Sequence, residues 1–321
     1  MSKISCAVIG VGYLGRFHAQ KYQQLPNASL IGVCDVNPEA CQAVAAELQV
    51  PAYLNYEDIL DKVQAVSIAA TTNKHFEIAA KCLERGIHVL IEKPITETVE
   101  QAQKLILLAQ KHQAKLQVGH LERFNSARLA LEPYLEKPLF IESQRLAPYN
   151  PRGTDVNVVL DLMIHDIDMI QNMVKSPILS IVAQGTPILT QSIDIANARI
   201  TFSNQCVANI TASRISFKTA RKTRIFQNNS YISIDYQNKQ FAVFKKGDEE
   251  LFPGVANILQ TQQTFEKGDA LLEEIKAFLK CIEDDSTPLV TGEEGRDALE
   301  TAERITTVIQ TDLSARHAQV L

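Results

Sequence analysis

The chain has 321 residues, 45% of them apolar, and a formal net charge of −5. That length and apolar content are enough for two buried cores, which excludes a disordered segment or a disulfide-stapled miniprotein. The acidic balance, with no long basic run and no apolar run of about 18 residues, argues against nucleic acid, an anionic membrane surface or a membrane-spanning helix. Cys6, Cys34, Cys41, Cys82, Cys206 and Cys281 are scattered, with no C-x-x-C pair, and read as reduced, buried thiols. The opening MSKISCAVIG lacks the charged start and long apolar core of a signal peptide, so a cytoplasmic protein is expected.

Through residue 120 the pattern alternates strand and helix. ISCAVIGV, SLIGVCDV, AVSIAA, HVLIE and KLQVG are short apolar strands. Between them YLGRFHAQKYQQL, NPEACQAVAAEL, KHFEIAAKCLERG and ETVEQAQKLILLAQKH have helical spacing, with Asn37 as a cap and Pro38 at a first helical position. Such alternation predicts a doubly wound parallel sheet with helices on both faces. After residue 120 come a helix near 124–134, the strand LFIESQRLA and the helix VVLDLMIHDIDMI. Six strand candidates follow in succession (ILSIVAQGTP, IDIANARITF, QCVANITASRIS, KTRIFQ, SYISIDY, KQFAVFKK), then two helices. Consecutive strands with polar turns predict a largely antiparallel open sheet in a second α/β domain. The expected division is residues 1–120 for the first domain and 121–321 for the second.

Gly10-Val11-Gly12-Tyr13-Leu14-Gly15 is a G-x-G-x-x-G between a strand and a helix, and Asp35 ends the next strand. Gly10 suits the tight turn, Gly12 the approach of backbone to a pyrophosphate, and Gly15 close helix–strand packing. The helix N-terminus offers free N–H groups to phosphate. Asp35 would accept the ribose hydroxyls and repel a 2′-phosphate, which favours NAD. Thr71, Thr72, Asn73 and His75 follow the third strand at the carboxyl edge of the sheet, where ligands bind; His75 fits a helix-start residue as well. Glu92 and Lys93 end a strand at the same edge, before Pro94. Lys93 there would exchange a proton with, or donate to, a substrate hydroxyl, and a surface lysine beside a loop proline is the plainer alternative.

These motifs resemble the Gfo/Idh/MocA family of sugar oxidoreductases. The resemblance rests on VIGVGYLGRFHA, TTNKHFEIA, IEKPI, the D-x-x-x-H of LDLMIHD and PLVTGEEGRDALE, in that order along nearly the whole chain. It implies a Rossmann domain followed by an α/β domain whose open sheet face makes homodimers or homotetramers. It also implies that Lys93, Asp161 and His165 meet at the active site. GHLERFN, DLMIHDID, ITASRIS and YISIDY resemble more closely the branch that oxidises UDP-N-acetylglucosamine at C3, which serves 3-amino sugars of some lipid A. Met163 departs from the glycine common in D-x-G-x-H.

Asp161, His165 and Asp168 share one helical face at i, i+4 and i+7. A wet face, a metal site and a catalytic site all fit that spacing, but no cysteine or second histidine completes a metal site, so none is expected. In the catalytic reading His165 is the general base of alcohol oxidation, Asp161 orients substrate or the His–Lys pair, and Asp166 turns away, suited to an ion pair. Phosphate contacts are expected among Arg123, Arg152 and Arg214, with His120 and Asn125 beside Arg123 on the substrate side. For Arg152 or Arg214 taken singly a solvated surface charge is the better reading, and Arg123 is the stronger candidate. A free polyol or inositol dehydrogenase, and a non-catalytic NAD-binding regulator, remain as alternatives.

Overall fold

A computed structural model describes residues 3–150, 156–265 and 268–320. The chain divides into two compact units: residues through Phe124 with Asp269–Leu299, and Asn125–Gly268 with the residues from Glu300 on.

The first unit contains β1 (Ile4–Ile9), α1 (Tyr13–Gln24), β2 (Ala28–Cys34), α2 (Pro38–Leu48), β3 (Ala52–Tyr53), α3 (Glu57–Leu60), β4 (Ala65–Ile68), α4 (Thr72–Glu84), β5 (His88–Glu92), α5 (Val99–Lys111) and β6 (Leu116–Gly119). The six strands are parallel in the order β3-β2-β1-β4-β5-β6. β4 is buried throughout, as expected of a parallel strand covered on both faces. The Asn37 side chain accepts the N–H groups of Glu39 and Ala40, so α2 starts where its cap and Pro38 placed it. The strand order reverses between β1 and β4, which puts the Gly10 turn and the Ala69–Thr71 loop side by side at the carboxyl edge.

The second unit contains α6 (Ser126–Leu131), β7 (Phe140–Leu146), α7 (Ile164–Val174), β8 (Ile178–Thr186), β9 (Ile195–Phe202), β10 (Val207–Ser213), β11 (Ala220–Phe226), β12 (Ser230–Asp235), β13 (Gln240–Phe252) and β14 (Val255–Thr264). Its eight-stranded sheet runs β14-β13-β12-β11-β7-β10-β9-β8, antiparallel except where β7 meets β10. In β9, Ala196, Ala198, Ile200 and Phe202 are buried while Asn197 and Arg199 are exposed, the period-two pattern of a sheet with one covered face. On the opposite face Phe140, Phe226, Tyr231 and Phe244 form a row with successive ring centroids 5.8, 5.0 and 5.4 Å apart.

The helix expected near 124–134 is three pieces: a 3-10 turn at Leu121–Phe124, α6 capped by Asn125, and a second 3-10 turn at Glu132–Tyr134. Pro133 cannot continue the α-helical ladder. β14 was not expected at all. Two helices close the chain, α8 (Ala270–Glu283) and α9 (Gly292–Val320). A single cut near residue 120 assigns α8 to the second domain, yet its segment belongs to the first unit. Ile275, Phe278, Leu279 and Cys281 on one face of α8 join the core of Cys6, Val8, Ala19 and Tyr22. Burying that apolar face there is the driving force for the return of the chain.

Candidate active site

The G-x-G-x-x-G turn is built as the glycines require. Gly10 has φ +85°, and a Cβ on it would lie 2.5 Å from the Ala70 backbone nitrogen. A Cβ on Gly15 would lie 1.8 Å from the Gly10 carbonyl oxygen. Around Gly12, by contrast, nothing lies within 4 Å of an added Cβ. Gly12 is also the N-cap of α1 and has no side chain to cap it, so the first-turn N–H groups stay available to an anion.

Gly10 and Gly12 open on a cleft of about 610 Å³ that is also lined by Cys34, Asp35, Val36, Leu54, Tyr56, Thr71, Asn73 and Glu77. Asp35 sits at the end of β2 with Oδ2 accepting the Val11 N–H at 2.8 Å and Oδ1 the Asn37 N–H at 2.9 Å. The acid is therefore fixed to both the glycine turn and the start of α2. This donor set fits a dinucleotide: an open helix terminus for the pyrophosphate, and an oriented carboxylate for the ribose.

Thr71 stands at the N-cap position of α4 but donates its hydroxyl proton to Asn73 Oδ1 at 2.6 Å instead of capping the helix, and both residues line the cleft. Thr72 begins α4, and neither it nor His75 lines the cleft. His75 is buried, with Nδ1 2.9 Å from the Pro94 carbonyl and Nε2 3.0 Å from the Ala70 carbonyl. It ties the β4 loop to the loop after β5, and burial lowers its pKa against those two carbonyl contacts. Tyr13 and Leu14 are exposed at the mouth of α1. The sequence reading missed Val36, Leu54 and Tyr56. Val36 is 89% exposed, and an exposed apolar residue just past a strand end was the available signal.

Lys93, half-buried, follows the last residue of β5. In the second unit Asp161 lies in a π-helical turn, Val159–Met163, rather than in a regular α-helix. Asn157 caps that turn by accepting the N–H groups of Val159 and Leu160. Such one-turn π insertions are frequent at functional sites. Asp161 and His165 are half-buried, whereas Asp166 and Asp168 are buried. Asp168 thus does not share the partly open face that the spacing gave it. Asp166 forms the ion pair expected of it, accepting Arg145 Nε at 2.7 Å and the Ser143 hydroxyl at 2.8 Å.

Neither Arg123 nor Arg214 is a solvated surface charge. Arg123 is buried and donates to Glu294 at 2.8 Å. Arg214 is buried against Asp194, with further bonds to the Val156 carbonyl and the hydroxyls of Thr190 and Ser192. Asn125 caps α6 and donates to the Tyr236 carbonyl, and His120 is buried next to β6. Arg152 lies outside the described residues. All six cysteines are buried and unbridged, and burial pushes the thiols of Cys6, Cys34 and Cys82 up to about 12.

Residues 4–120 match an oxidoreductase family with an NAD-binding Rossmann fold, and residues 137–232 match the GFO/IDH/MocA C-terminal domain. A UDP-N-acetylglucosamine 3-dehydrogenase from Acidithiobacillus ferrooxidans is 37% identical over 311 residues, covering 97% of this chain and 98% of that relative. A solved structure of UDP-N-acetylglucosamine 3-dehydrogenase from the same organism matches with a TM-score of 0.91 at 36% identity, covering 97% of this chain and 99% of that one. A myo-inositol 2-dehydrogenase from Thermotoga maritima is 25% identical and covers 91% of this chain and 92% of that relative.

Proposed function

The chain belongs to the GFO/IDH/MocA family of oxidoreductases, and we propose that it oxidises C3 of UDP-N-acetylglucosamine to the 3-keto sugar with NAD. The observation that carries the substrate is the whole-length likeness to a UDP-N-acetylglucosamine 3-dehydrogenase, at 37% identity against 25% for the inositol enzyme. The oriented Asp35 carboxylate supports NAD over its 2′-phosphorylated form, since a phosphate there would meet a like charge.

In this reading the cofactor would be held by Gly10, Gly12 and the first turn of α1, by Asp35, and by Thr71 and Asn73. When bound, NAD supplies the hydride acceptor. His165 takes the proton of the reacting hydroxyl, and Lys93 donates a hydrogen bond to the same oxygen as negative charge develops on it. Asp161 orients the pair. The partial exposure of Asp161, in the π-turn, and of His165, at the start of α7, supports this assignment. The 3-keto nucleotide sugar would feed transamination to a 3-amino sugar of the lipid A type. The aromatic row on the open sheet face, with exposed Leu179 and Val182 on the edge strand, supports a homodimer or homotetramer.

The test is NADH absorbance with purified protein against a panel of UDP-sugars and free polyols. Turnover with UDP-N-acetylglucosamine and NAD is expected. Turnover with myo-inositol and none with the nucleotide sugar would overturn the substrate assignment.

A further inference from the structure

Behind Lys93 lies a buried cluster that the proposed chemistry does not use. α1 carries His18 into the interior, 1% exposed, with Nε2 2.9 Å from Glu92 Oε1. Glu92 is packed so tightly on β6 that a Cβ on Gly119 would lie 3.0 Å from its Oε2. The same oxygen accepts the Lys93 backbone N–H at 3.3 Å. From the far end of the sequence α8 adds Glu274, which is 0% exposed and whose two carboxyl oxygens have no hydrogen-bond partner. Ligand atoms of His18, Glu92 and Glu274 lie within 4.8 Å of one another. His18 Nδ1 is likewise buried without a partner.

Two carboxylates this close, one of them fully buried, do not both ionise. The surroundings decide which keeps the proton. Glu92 has the His18 ring and the Lys93 N–H on its oxygens, and the charged Lys93 side chain belongs to the next residue. Glu274 has none of these. Around it α1 presents His18, Tyr22 and Lys21, but the Tyr22 hydroxyl is bonded to Ser67 and Lys21 is paired with Asp269. β6 presents Gln117, whose amide donates to the Glu274 backbone carbonyl, and the adjacent 3-10 turn presents Glu122 and Arg123, the latter paired with Glu294. On α8 itself Glu273 and Lys276 pair with each other.

We propose that Glu274 is a neutral carboxylic acid facing an ionised Glu92 that is paired with His18, and that it is a positioning residue fixing the Glu92 carboxylate behind Lys93. The role toward Lys93 rests on the function proposed above; the protonation does not. Burial, and then the Glu92 charge, push the Glu274 carboxyl well above the usual carboxylate range. Burial opposes ionisation of Glu92 too, but His18 and Lys93 outweigh it and hold that carboxyl below its usual value. An acid whose folded-state pKa is raised contributes stability that is complete below the unfolded value and is lost as pH rises through the folded one.

The experiment compares full-length wild type with Glu274→Gln, which mimics the neutral acid, and Glu274→Ala. Infrared spectra of the wild type should carry the carbonyl stretch of a protonated carboxyl, absent from E274Q. The melting temperature of the wild type should fall as pH rises above the carboxylate range, and E274Q should lack that component. In turnover, E274A should lose about tenfold or more in kcat through misplacement of the Lys93 end of β5, with KM for NAD little changed, and E274Q should restore most of the loss. Three results would overturn the proposal: no protonated-carboxyl band in the wild type, an E274Q chain that does not fold, or a stoichiometric divalent metal that E274Q loses. If the wild type oxidises no sugar, the substrate reading fails, while the infrared and melting results still decide the state of Glu274.

Discussion

Nε of Arg214 donates to Oδ1 of Asp194 across 2.8 Å, and both side chains are buried. Oδ2 of the same carboxylate accepts the N–H groups of Ile188, Leu189 and Thr190. The other end of Arg214 donates to the Val156 carbonyl, one residue before the Asn157 that caps the π-turn. The ion pair therefore anchors the start of the segment carrying Asp161 and His165.

Asp194→Asn should destabilise the chain by about 3–5 kcal/mol, because it leaves a buried guanidinium without its counter-charge. Acid sensitivity gives a second readout. Burial opposes ionisation of Asp194, but the N–H groups of Thr190 and Ile188 and the Arg214 side chain hold its carboxyl far below the usual range. A depressed acid contributes stability that is full above the unfolded pKa and is lost as pH falls through the folded one. Melting curves taken downward from about pH 4 should lose stability steeply in the wild type and less steeply in D194N. Equal acid slopes in the two proteins would show that Asp194 is not the group responsible.

Gly12 and Gly15 separate binding from folding. Gly12→Ala meets nothing in the chain and should shift stability by no more than about 1 kcal/mol, as for a changed N-cap. Its methyl group would enter the path of a pyrophosphate, so NAD affinity should fall about tenfold or more. Gly15→Ala puts a Cβ into the Gly10 carbonyl and should cost about 1–3 kcal/mol of stability by forcing the turn to shift. Melting temperature and a fluorescence titration with NAD distinguish the two. A G12A chain that binds NAD like the wild type would remove the glycine turn from the cofactor site.

The parts legible in the sequence were those with short-range causes. β1, β2, β4 and β5 announced themselves as apolar runs, the glycine turn by its spacing, and α2 by Asn37 and Pro38. β14 was illegible because VANILQTQQT lies at the sheet edge with nearly all its side chains exposed, so no apolar alternation marks it. β3, with two residues, is too short to carry a pattern. The π-turn at Asp161 leaves no signature in residue types, and neither does the burial of Asp168, which lies in regular α7 three residues past His165. Partner choice was the least legible. Whether Arg123, Arg145 and Arg214 meet a phosphate, water or a carboxylate depends on residues up to 171 positions away in sequence. The return of α8 to the first unit, which buries Glu274 beside Glu92, is a long-range event of the same kind.

Lys93 and His165 can be tested for action on one proton. Lys93→Ala and His165→Ala should each lower kcat by about 10²–10⁴, with NAD affinity preserved, since neither residue lines the cleft at the glycine turn. H165A should in addition gain rate as pH rises, because solvent base replaces the lost imidazole. Asp161→Asn should cost less, since an orienting partner can be replaced in part by its amide. The double variant K93A/H165A carries the argument further. If both side chains serve the same hydroxyl oxygen, removing the second after the first has little left to remove, and the double variant should be about as slow as the worse single one. Losses that multiply would mean that the two residues serve separate steps, with Lys93 acting on binding or on the cofactor rather than on the reacting oxygen.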